Sequence, residues 1–158
     1  MAVMNVTAGG KAILTLGNTA PLAVPGVGNG MTVPFMQDIT VNASTGVVRY
    51  KTLDSASEKA FTTPSTNQIS LNCLVDEDTF FGVANTSNKI INDGLFGTQN
   101  EKTTVFFSVA FEGSTGGSRY VTGQGFLSGL APTASQDAAV FLTPVTIEVD
   151  GNLTSTTV

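Results

Sequence analysis

The sequence predicts a mainly-β protein: an antiparallel β-sandwich or barrel with one α-helix. Three observations lead there. Successive stretches alternate apolar and polar residues with period two, the pattern of half-buried strands. The breaks between them are rich in Gly, Ser, Thr and Pro, as turns require. Only Thr79–Asn92 carries a helical period.

Residues 1–30 are rich in Gly, Ala and Pro, with a short strand expected at Lys11–Leu16 and an irregular loop over Pro21–Gly30. In Thr32–Asn42, Val33, Phe35, Ile39 and Val41 share a face that Gln37 interrupts, with Asp38, Thr40 and Asn42 opposite. Ala43–Gly46 reads as a turn and Val47–Leu53 as the returning strand, so 32–53 is a candidate hairpin. Asp54–Ser65 is polar, runs into Pro64 and reads as a long loop.

Asn67–Val75 is a strand with Ile69, Leu71, Cys73 and Val75 inward. In the expected helix, Phe80, Ala84, Ser87 and Ile91 form one row. Asp76, Glu77 and Asp78 at its start suit the helix dipole, and Gly94 is placed to end it. Lys102–Phe111 is the clearest strand, with Val105, Phe107, Val109 and Phe111 on one face. Gly113–Gly117 turns the chain into Arg119–Leu127, and Gly129–Ser135 turns it again. The last strand aligns Ala139, Phe141, Thr143, Val145, Ile147 and Val149. Pro144 cannot donate to a ladder, which predicts an edge position or a bulge.

The chain has 158 residues, enough for one domain with a real core. Hydrophobic residues make up 41% but charged residues only 12%, about half the usual quarter. A surface with so little charge suits a subunit covered by copies of itself or by a partner. The net charge is −5 and the cations are scattered, with only Arg49 and Lys51 close together. That excludes the basic stripe with which a protein grips phosphates.

There is no histidine, which removes Ser–His and Cys–His nucleophiles and ordinary zinc sites. Cys73 is the lone cysteine, sits in an apolar alternation and reads as core. Asp76-Glu77-Asp78 lacks the glycine and distal glutamate of a calcium loop, so helix-start acids are the preferred reading. No tryptophan is present to line a sugar cleft. Gly123-Gln-Gly125-Phe-Leu-Ser-Gly129 has the wrong spacing for a nucleotide loop and reads as glycines that bend a strand or admit a neighbouring backbone. The expectation is no enzyme, no cofactor and no metal. No secretory leader or membrane span is visible. What remains is a structural subunit, in which strand edges pair with a neighbour's.

The second half carries a resemblance. "KTTVFFSVAFEG" followed by "SRYVTGQGFLSGLAPTASQDAAVFLTPVTIEVDGNL" resembles the C-terminal half of phage tail tube (major tail) proteins. The matching features are Tyr120 to Ser128, the Gln136-Asp137 connection, and a last strand ending Gly151-Asn152-Leu153. The Asn67–Asn92 segment stands where that family places its helix, and hairpin 32–53 is similar to its inner hairpin and stacking loop.

The resemblance implies a single tail-tube-like domain over 1–158, with 1–30 as an N-terminal arm. It implies homo-hexameric rings stacked into a virion tail, assembled in the host cytoplasm. The partners it implies are a tape-measure protein, tail-terminator and initiator proteins, and viral DNA in transit without specific binding. An acidic lumen would let DNA slide. Asp38 and Glu58, flanking the inner hairpin, are the candidate lumen-facing residues, and Arg49 and Lys51 are candidates for pairing with a neighbouring subunit. The alternatives are a type VI secretion or contractile injection tube subunit and a capsid decoration protein. A sugar-binding or hydrolytic β-sandwich is a third class, disfavoured without Trp and His.

Overall fold

A computed structural model describes residues 12–18, 30–85, 87–111, 119–137 and 141–157. Most of the proposed arm, the turn at 113–117 and the start of the last expected strand lie outside them.

In chain order the strands are β1 (Ile13–Gly17), β2 (Met31–Thr32), β3 (Met36–Tyr50), β4 (Lys59–Leu74), β5 (Thr104–Ala110), β6 (Arg119–Leu130), β7 (Leu142–Val149) and β8 (Thr154–Thr157). Two helical segments, α1 (Glu77–Phe81) and α2 (Lys89–Asn100), lie between β4 and β5. The strands form one sheet in the order β2-β1-β5-β6-β7-β4-β3, with β8 pairing β6, and every pairing is antiparallel.

The sheet cannot be flat. At roughly 4.8 Å per strand, β2 and β3 would stand about 29 Å apart. They are joined only by Val33, Pro34 and Phe35, a connection that can span no more than about 14 Å. The connection also bonds to both edges: Val33 N donates to Leu14 O (3.0 Å), and Leu74 N donates to Phe35 O (3.2 Å). The sheet therefore curls round on itself. Its concave face collects Leu14, Leu16, Ile69, Leu71, Val105, Phe107, Val109, Leu127, Val145 and Ile147 into one core, which Phe80, Ile90 and Leu95 of the helices join. The mainly-β antiparallel class and the inward faces of Asn67–Val75 and Lys102–Phe111 are as expected, and Cys73 is buried.

Local details differ. The expected turn at Ala43–Gly46 is the middle of β3, which runs unbroken for 15 residues. The true reversal is Lys51–Glu58, so most of the expected 54–65 loop is strand. Pro64 is accommodated at an irregularity, where the register passes from Thr45↔Ser65 to Val47↔Thr62. Gln37 sits at a second register shift, which resets the face it was expected to interrupt. Pro144 lies just past the last β6–β7 pair, Leu130↔Val145, where no ladder bond to β6 is needed.

The single helix expected over Thr79–Asn92 is instead two short ones. Asp76 caps α1, accepting from Thr79 N at 3.2 Å, and Asn88 caps α2, accepting from Ile90 N at 2.9 Å. Gly94 does not end a helix. It makes a positive-φ kink (φ 66°) within α2, which continues to Asn100. The segment packs back-to-back on Gly82 (φ 91°), and a Cβ on Gly94 would stand 2.4 Å from Gly82 N. The break at 82–88 follows from that contact, because only glycines bring the two backbones so close.

Candidate assembly surfaces

The last β4–β7 pair is Gln68↔Glu148, but β3 and β4 stay paired out to Tyr50↔Lys59. Beyond Gln68 the two strands continue alone as a ribbon. Its residues are strand formers with nothing to pack against: Val47 (54% exposed), Val48 (42%), Tyr50 (45%) and Phe61 (53%). The Tyr50 and Phe61 rings touch only each other, with centroids 6.0 Å apart. At the tip, Leu53 is fully exposed. A two-stranded ribbon on its own is marginal in water, and a protruding apolar one marks an interaction surface.

The convex face of the sheet is of another kind. Residues two apart share a face, so Asp38, Thr40 and Asn42 of β3 line up with Asn72, Ser70 and Gln68 of β4. The row continues through Thr146 and Glu148 of β7 to Phe126 and Gln124 of β6. These groups are half-buried to exposed, and none of them is a cation. Both carboxylates are held by amides. Asn72 donates from Nδ2 to Asp38 Oδ2 (2.9 Å) and from its backbone N to Oδ1 (3.1 Å). Gln68 Nε2 donates to Glu148 Oε1 at 2.6 Å. The result is a hydrogen-bonded sheet surface of amides and hydroxyls with negative charge only.

The four site residues expected from sequence therefore separate. Asp38 lies on this convex face near the base of the hairpin. Arg49 and Glu58 meet near the tip, Nη1 to Oε2 at 4.0 Å, with both side chains more than 60% exposed. A pair that open contributes little stability within the subunit. Lys51 opens the tip loop and is exposed. Asp38 and Arg49 are about 37 Å apart along the strand.

Sequence reading missed the apolar ribbon residues and Glu148. One signal was available: Val47, Val48 and Tyr50 place apolar groups on both faces of a strand, which happens when both faces are to be covered.

Two more features mark the surface. Lys89 Nζ donates to both Asp93 and Glu101 on the exposed side of α2. The bond from Lys89 holds the Asp93 carboxyl below its ordinary range, and the same contacts raise the Lys89 ammonium. Phe81 (63% exposed) and Phe96 (51%) flank buried Phe80, whose ring meets that of Phe81 edge-on at 4.9 Å. Among the described residues there is no cluster of three or more metal-ligating side chains, and no helix is long and apolar enough to cross a membrane.

No protein-family model matches the sequence, and no curated protein matches it. Solved structures do match over nearly the whole chain. The tail of an empty gene transfer agent particle, refined with C6 symmetry, superposes with a TM-score of 0.67 at 12% identity, covering 96% of this chain and 99% of that one. The SPP1 tail tube gives 0.67 at 9% identity over 97% of this chain and 80% of that one. The tube-terminating cap of the anti-feeding prophage gives 0.64 at 16% identity, covering 100% and 95%. The fold is that of tail tube proteins.

Proposed function

We propose that this chain is the repeating subunit of a phage-type tail tube: six copies close a ring, and rings stack into a conduit that carries DNA out of the particle. The observation that carries this reading is the β3–β4 ribbon, apolar and unpaired beyond Gln68, on a fold shared with tail tubes. Edge to edge, ribbons from successive copies satisfy each other's backbone groups and cover Val47, Val48, Tyr50 and Phe61. A closed ring leaves no strand edge open.

In this reading the conduit needs no catalytic group. Its wall must be smooth and must not hold phosphate, and the convex face suits that. Asp38 and Glu148 supply fixed negative charge among amides and hydroxyls, so nothing there neutralises a phosphate and DNA slides. Asp38 is proposed to face the lumen and Arg49 and Lys51 to face neighbouring subunits, with Glu58 partnering Arg49. The tape-measure, terminator and initiator proteins are proposed partners, the virion tail is the proposed location, and assembly is proposed in the host cytoplasm. A contractile injection tube is the second reading, favoured by the likeness to the cap of the anti-feeding prophage.

The test is electron microscopy of the purified chain at rising concentration, alongside light scattering. Rings or tubes with a central hole are expected. A chain that stays a compact monomer at every concentration, even beside preformed ring seeds, would refute the reading.

A further inference from the structure

The two ends of the hairpin are unlike. At the tip, Arg49, Lys51 and Lys59 gather round Leu53, which is 111% exposed, with Asp54 and Glu58 the only acids. Among the described residues neither Lys51 nor Lys59 has an acidic partner. At the base, β4 ends between two exposed aromatics. Leu74 N donates to Phe35 O, and Val75 N donates to Phe141 O at 2.9 Å. Phe35 is 63% exposed and Phe141 54%. Phe35 also sits at φ 54°, a conformation that an aromatic residue adopts only against strain. Asp76, Glu77 and Asp78 follow directly, and neither Glu77 nor Asp78 meets a cation among the described residues. The two ends are about 50 Å apart along β4, so they cannot meet within one chain.

We infer that the tip loop Lys51–Glu58 of one subunit docks on the base of another, with Leu53 between Phe35 and Phe141 and Lys51 and Lys59 against Glu77 and Asp78. This rests on the tube reading and specifies the contact between stacked rings. The occupant is a second copy because its tip offers what the base lacks: an unpaired aliphatic group and unpaired cations of matching number. Such a contact is heterologous, and along the ribbon axis it repeats without closing, as stacking needs. The strain at Phe35 is consistent with an aromatic held out for a partner rather than for the core.

Complementary variants test it. A tip variant, Leu53→Asp with Lys51→Glu, and a base variant, Phe35→Gly with Phe141→Ser, are purified, checked for wild-type circular dichroism, and sized alone and mixed. Phe35→Gly relieves the strained φ, so loss of folding is not expected. Each variant alone should form rings that do not stack, while the mixture should give a species of twice the ring mass and no longer polymers. Separately, Leu53→Cys with Phe35→Cys in a Cys73→Ala background should give a ladder of intermolecular disulfides under oxidation.

If either folded variant stacks alone like wild type, the inference is overturned. It is also overturned if the mixture does not pair, or if the double-cysteine chain stacks without a ladder. In those three cases rings with a central hole still form and the tube reading stands. Wild-type protein that forms no rings at all sinks both.

Discussion

Replacing Phe61 with serine separates assembly from folding. In the isolated subunit Phe61 is 53% exposed, and its only ring neighbour is Tyr50. A phenylalanine presents about 200 Å². About 100 Å² therefore remains to be covered when ribbons pair, and at ~25 cal/mol per Å² that is about 2.5 kcal/mol per subunit. Losing it should raise the concentration needed for ring formation about 70-fold, since each 1.4 kcal/mol is roughly a factor of ten. The subunit itself loses only the Tyr50 contact, about 0.5–1 kcal/mol. For a chain of this size that lowers Tm by only about 1–4 °C. Sedimentation velocity over a dilution series gives the first quantity, and a thermal melt below the assembly concentration gives the second. A fall in Tm beyond about 8 °C with an unchanged assembly midpoint would mean that Phe61 packs within the subunit, and the ribbon argument would fail.

Three further outcomes follow from the fold. Phe107 is fully buried under Gly123 at the centre of the core, so Phe107→Ala should cost about 3–5 kcal/mol, read from the urea midpoint. A Cβ on Gly125 would stand 2.1 Å from Glu148 O, so Gly125→Ala should force β6 and β7 apart and abolish the cooperative melt. Lys89 holds Asp93 below its usual carboxylate range; the stability this adds is present above the unfolded value near ~3.9 and is lost as pH falls through the lowered folded value. Asp93→Asn should flatten that acid limb in a pH series of melts, and because Lys89 is 45% exposed, salt should shrink the difference.

The core strands were legible because their signal is local. Ile69, Leu71 and Cys73, and Val105, Phe107 and Val109, alternate against polar neighbours, and one face of each strand is buried. The β3 turn was misread because Ala43–Gly46 has turn composition, while what holds it extended is a partner about twenty residues away, with Ser44 opposite Thr66 and Thr45 opposite Ser65. Threonine and serine suit a strand as readily as a turn, so pairing decided. Gly94 was misread for a similar reason: a positive-φ glycine ends a helix or kinks one, and the choice rests on its contact with Gly82. Asp38 was found by its place beside an expected hairpin, but its partner Asn72 depends on register. The ribbon's exposed face could be recognised only once β7 was seen to stop at Glu148.

The sparse charge also takes on meaning from its placement. Copies that each carry −5 repel one another, which is a poor start for a polymer. Placing Arg49, Lys51 and Lys59 at one end of the hairpin and Asp76, Glu77 and Asp78 at the other turns that repulsion into a direction. Tip against base is attractive, while base against base brings like charges together. Within about a Debye length, some 8 Å at physiological salt, the sign of the contact selects head-to-tail growth before the apolar groups touch. Assembly in 1 M salt, where that length falls to about 3 Å, should keep its apolar adhesion and lose its polarity. Mixed tip-to-tip and base-to-base pairs in micrographs at high salt, against uniform stacks at low salt, are the expected result; uniform polarity at both would assign direction to shape alone.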